Sequence, residues 1–177
     1  MKIGRIKIET KGKIYGGFVA ASIITNPKRE MLWLKLKESG LLTILTETMA
    51  PADRKNFKEV LLRGIKEELG IERCEVLNVR SLKQDIRSKN AESELKGFEL
   101  FSCELTQKGA DLARWLANEG VEEIVWLGED QVSDSDLDSL ARDTLQLYKQ
   151  QPLLSQERDE NARENEEEET GDHPKWS

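Results

Sequence analysis

Arg63, Glu67 and Glu68 stand in the run Arg63-Gly64-Ile65-Lys66-Glu67-Glu68-Leu69-Gly70, with apolar Ile71 directly after it. If this run is helical, positions 64, 67 and 68 share a face, because residues three and four apart stack on one side of a helix. Two carboxylates and an arginine on the last turns of a helix can hold a hard, oxygen-seeking divalent cation against a phosphate. The plainer alternative is that the adjacent glutamates face water. Arg63 would then do no more than pair with Glu59 and Glu67 along a charged ladder.

The residues around this run predict the helix that must carry it. Phe57, Val60, Leu61, Ile65 and Leu69 recur at three and four positions and make one buried face over 57–69. Asn56 can accept the first free backbone N–H groups, and Gly70 can stop the helix as its C-cap. A loop over 46–56 is expected to lead into this helix. Ahead of it, segments 4–10, 13–25, 31–37 and 41–45 read as strands from their β-branched, aromatic and alternating residues. After it, 74–86 and 97–106 read as strands joined by a polar loop over 87–96. Helices are expected over 108–119 and 136–150, with a last strand over 122–127. Strands, a helix, more strands and terminal helices predict a mixed sheet packed between helices.

Charge and composition exclude several kinds of chemistry. The net charge of −7 is unevenly placed: from Ser155 onward nine acids face three bases, so this segment carries −6 and residues 1–154 carry −1. A near-neutral body has no basic stripe, and nucleic acid is not an expected partner. Residues 155–177 are almost free of apolar side chains and are read as a disordered acidic tail appended to one domain of residues 1–154. Such tails mostly only solubilise. The single histidine, His173, falls in that tail, so the body cannot host a Ser-His-Asp triad, a Cys-His pair or an HExxH zinc site. Cys74 and Cys103 stand far apart with no CxxC pairing, as expected of reduced cysteines in a cytoplasmic protein. No apolar run reaches the length of a membrane span. A homodimer is compatible with these features.

The run at Arg63 resembles the end of the Nudix box, Gly-x5-Glu-x7-Arg-Glu-U-x-Glu-Glu-x-Gly-U, where U is apolar. Laid on it without a gap, Arg63, Ile65, Glu67, Glu68, Gly70 and Ile71 match. Met49, Lys55 and Gly64 stand where the family has glycine, glutamate and glutamate. The segment 123–127, Glu-Ile-Val-Trp-Leu, is similar to the last strand of Nudix proteins. The resemblance implies an α/β/α sandwich with a mixed sheet. It also implies Mg²⁺ or Mn²⁺ held by Glu67 and Glu68, catalytic roles for Glu67 and Arg63, and hydrolysis of a small nucleoside diphosphate-linked substrate.

Gly64 removes one of the family's three helix carboxylates, and a glycine inside a helix costs about 0.5–1 kcal/mol relative to alanine. Three explanations are open: lost catalysis, close packing of a neighbour against the glycine, or supply of the carboxylate from elsewhere. Glu47 and Asp53 are the nearest candidate replacements, followed by Glu92, Glu94 and Glu99. If catalysis is lost, the expected function is that of a silent Nudix-like module binding a nucleotide or a protein partner.

Overall fold

Phe18–Thr25 is apolar on both sides of the strand, as a central strand must be if both sheet faces are covered. Successive side chains of this strand, β1, point in opposite directions. Val19, Ala21 and Ile23 join one core cluster and Ala20 and Ile24 the other. The computed structural model describes residues 17–50, 56–86, 97–117 and 120–151, with Ile86 described by its backbone alone. The strand expected at 4–10, the start of the one expected at 13–25, Asp53, the polar loop 87–96 and the tail 155–177 lie outside the described residues.

Seven strands form one mixed sheet among the described residues. β1 runs parallel to β6 (Gly97–Leu105), with Phe18 opposite Gly97 and Thr25 opposite Glu104. Its other edge is shared, antiparallel, by β4 (Leu45–Thr48) and β2 (Met31–Leu36). β2 in turn carries β3 (Leu42–Thr43) and β7 (Val121–Leu127), and β5 (Val76–Ile86) closes the far edge against β6. Helix α1 (Phe57–Leu69) packs on one face through Phe57, Val60, Leu61, Ile65 and Leu69. Helix α3 (Ser139–Lys149) covers the other through Leu140, Ala141, Leu145 and Leu147. The result is the expected α/β/α sandwich. No helix among the described residues is long and apolar enough to cross a membrane.

The strand expected from 74 begins at Val76, after a 3₁₀ turn over Arg73–Glu75, and three other expected boundaries move for tertiary reasons. Residues 46–48 are not loop: the chain changes partner at Ile44, leaving β2 and joining β1, so that Thr46 lies opposite Ala21 and Glu47 opposite Ala20. The helix expected over 108–119 is the short α2 (Gln107–Leu112), after which the chain leaves the helical path at Ala113 (ψ 125°). The N–H groups of Arg114 and Leu116 are then used to bond the carbonyls of Leu69 and Glu68, at 3.2 and 2.8 Å. α3 begins at Ser139 rather than 136 because Leu137 bridges to Leu42 and Asp138 serves as N-cap, accepting from Ala141 N at 2.8 Å.

Candidate functional site

Both ends of α1 are held. Asn56 Oδ1 accepts from Lys58 N at 3.1 Å and Glu59 N at 3.3 Å, satisfying two of the helix's free donors. At the other end Gly70 adopts a left-handed conformation (φ 71°, ψ 23°) and returns its N–H to the Lys66 carbonyl at 3.1 Å. With Arg114 and Leu116 taking two more carbonyls, the turn bearing Glu67 and Glu68 is fixed at its C-terminal side.

Position 64 faces β4. A β-carbon placed on Gly64 would stand 2.8 Å from Glu47 Cβ, 3.0 Å from its Cγ and 3.1 Å from its Oε2. Close packing is therefore the structural reason for the glycine: the Glu47 side chain lies where a side chain at 64 would begin. Glu47 is 15% exposed, and its Oε1 accepts from Thr48 N at 3.0 Å. Glu68, one helical turn beyond Gly64, donates a hydrogen bond to Glu47 from its protonated carboxyl. Burial pushes the Glu68 carboxyl up to about 8, helped by the Glu47 charge, the Glu47 hydrogen bond and the Glu67 charge, against a lowering by Arg63. Glu67 is exposed at the rim.

Arg63 reaches the same strand. Its Nη2 lies 3.5 Å from Glu47 Oε1 and donates to the Thr48 carbonyl at 2.5 Å, so one guanidinium ties the helix to two consecutive residues of β4. Glu59, its partner in the plainer alternative, forms a two-point bridge with Arg73, both contacts at 2.9 Å. Glu99 lies farther along the sheet. Ala20 of β1 stands opposite both Glu47 and Glu99, which puts the two acids on the α1 face two strand spacings apart, roughly 10 Å. Burial also raises the Glu99 carboxyl, while a hydrogen bond with Ser81 lowers it.

The structure thus brings Arg63, Glu68 and Glu47 together, with Glu67 beside them. Asp53, Glu92, Glu94 and Lys55 fall outside the described residues. Among the described residues, no group of three or more His, Cys, Asp or Glu side chains is arranged to hold a metal ion. The close carboxylates are a pair, Glu47 and Glu68. Met49, at the position of the box's first glycine, is buried in the α1-side core, and Trp33 is wholly buried. Trp115 and Trp126 pack against the α1-side core, so all three described tryptophans serve packing. Lys35 is occupied with Glu122 at 3.6 Å. The contribution of Glu47 had only an indirect signal in the sequence, a glycine inside a helix that needed a neighbour.

No family model matches the chain, and no curated protein matches it in sequence. Solved structures do match its fold. The NUDIX domain of Shewanella oneidensis NrtR, complexed with ADP ribose, aligns with a TM-score of 0.54 at 13% identity, over 84% of this chain and 90% of that one. RenU, a Nudix hydrolase of M. smegmatis, aligns with a TM-score of 0.52 at 14% identity, over 80% of this chain and 86% of its own. At such identities the likeness is one of architecture: the chain has a Nudix-like fold.

Proposed function

From the premise of that fold, we propose that the chain hydrolyses a nucleoside diphosphate-linked substrate, cleaving its diphosphate with water in a divalent-metal-dependent reaction. The observation that carries this reading is the placement of Glu68: the C-terminal carboxylate of α1 is held against a second carboxylate, Glu47, on the helix-covered face of the sheet. The donor set fits a hard cation, since all its atoms are carboxylate oxygens and Mg²⁺ needs only one or two carboxylates, keeping water for its remaining positions. Glu67 and Glu68 would hold the ion from the helix, and a bound Mg²⁺ or Mn²⁺ supplies charge neutralisation and polarisation of the diphosphate.

The protein's own groups do the rest. Arg63 fixes the helix to β4 so that the carboxylates keep one geometry. Glu67, exposed at the rim, is the group of the three most open to an incoming substrate. The NrtR domain's ADP ribose is a nucleoside diphosphate linked to a second group, the class proposed here. The catalytic domain is assigned to residues 1–154, with 155–177 as an acidic tail, in a cytoplasmic protein.

The test is turnover of a panel containing ADP-ribose, NADH, dinucleoside polyphosphates and nucleoside triphosphates with Mg²⁺ or Mn²⁺, run beside the Glu67→Gln, Glu68→Gln double variant. Turnover lost in the double variant is the expected result. No turnover of any member, with no metal binding by calorimetry, replaces this reading with that of a silent binding module.

A further inference from the structure

We propose that Glu47 supplies from strand β4 the metal-ligating carboxylate that helix position 64 lacks, so that Glu47 and Gly64 form a compensating pair. This inference rests on the proposed metal-dependent function and adds a residue to its site. The geometry is reciprocal. Glu47 Cβ, Cγ and Oε2 lie 2.8, 3.0 and 3.1 Å from the place a β-carbon on residue 64 would take, so a side chain at 64 would have to displace that of Glu47.

Removing the side chain at 64 opens a slot against α1, and the Glu47 side chain fills that slot with its carboxylate beside Glu68. A carboxylate delivered from a strand thereby reaches the helix face from which one at 64 would project, since 64 and 68 are one turn apart. Arg63 and the Thr48 N–H contact Glu47 Oε1 and hold the carboxylate in one orientation. A carboxylate that served only to pair with Arg63 would be largely replaceable by an amide. One that binds a cation would not.

That difference is the test. Mn²⁺ affinity is measured by calorimetry on the full chain for the native protein, Glu47→Gln, Glu47→Gly, Gly64→Glu and the double variant Glu47→Gly, Gly64→Glu. Glu47→Gln keeps an oxygen for Arg63 and for the Thr48 N–H, yet is expected to weaken Mn²⁺ binding at least about tenfold, as loss of a charged ligand does. Gly64→Glu alone is expected to unfold at a lower temperature, because its Cβ meets that of Glu47. Alanine at 47 would not relieve this contact, so glycine is used in the double variant, which is expected to return to within about threefold of native affinity.

Native affinity in Glu47→Gln overturns the inference. If Glu67→Gln, Glu68→Gln, measured beside the series, loses Mn²⁺, the proposed function stands without it. A native protein that binds no Mn²⁺ and turns over no substrate overturns both. Should the double variant fail to fold, Glu47→Gln alone decides.

Discussion

The backbone N–H of Leu116 donates to the carbonyl of Glu68 at 2.8 Å, so a segment that has left helix α2 closes the end of helix α1. Arg114 does the same for Leu69 at 3.2 Å. The last carbonyls of a helix have no partner within it, and a helix end buried without one is costly. This contact fixes the turn that carries Glu67 and Glu68, although it lies outside the Nudix-like motif.

Leu116→Pro deletes that donor. We expect a loss of about 1–3 kcal/mol in urea unfolding, the range for a buried acceptor left without its hydrogen bond. Leu116→Ala keeps the N–H and separates the side-chain contribution, which is small because Leu116 is 40% exposed. Equal losses in the two variants would show that the cap contributes nothing.

Helix α1 is legible in the sequence from cap to cap. The spacing of Phe57, Val60, Leu61, Ile65 and Leu69, the Asn56 N-cap and the Gly70 stop are local signals, and local signals survive folding. Most of β4 is not legible there, because Thr46, Glu47 and Thr48 are polar and their strand state comes from pairing with β1, a contact made across more than twenty residues. Residues 113–117 misled in the opposite way: Leu112, Trp115 and Leu116 keep helical spacing, but their backbone is drawn off to cap α1. The site divides along the same line. Its helix half, Arg63, Glu67 and Glu68, stands in one short run, whereas the Glu47 contact with Gly64 joins two elements and leaves no periodic trace.

Gly64→Ala sets two effects against each other. Helix propensity gains about 1 kcal/mol. Against it, the new Cβ would lie 2.8 Å from Glu47 Cβ, which β4 holds in place, and overpacking of this kind costs about 1–3 kcal/mol. The clash is expected to win, lowering the melting temperature. In a Glu47→Gly background the same substitution is expected to stabilise, since the obstacle is gone. A rise in melting temperature for the single variant would mean that β4 yields at little cost.

The raised Glu68 carboxyl gives a pH signature in the metal-free protein. Its folded pKa, about 8, lies above the ordinary 4.5, so the folded state binds the extra proton between these values. Its contribution to stability is therefore full below about 4.5 and is lost as pH rises through about 8. In EDTA, melting temperature should fall across that window, and Glu68→Gln should flatten the fall and be the more stable protein at the alkaline end. Parallel curves for the two proteins would rule out a proton held by Glu68.

Arg63 can be separated from the acids it orients. Its guanidinium contacts the Thr48 carbonyl and the Glu47 carboxylate, and the Arg63 and Glu47 side chains are only 24% and 15% exposed. Arg63→Ala leaves an acceptor and a charge without this donor, for an expected loss of about 1.5–3 kcal/mol in urea unfolding, the range for hydrogen bonds to charged groups. Arg63→Lys should recover part of this, because both contacts are made by the one nitrogen Nη2, whose place an ammonium can take while the rest of the planar guanidinium is lost. A loss below about 0.5 kcal/mol in Arg63→Ala would place the pair with ordinary surface bridges and remove Arg63 from the support of the site. If the loss is as large as expected, turnover should fall with it even at temperatures where the variant is fully folded, because the link from α1 to β4 is also the link between Glu68 and Glu47.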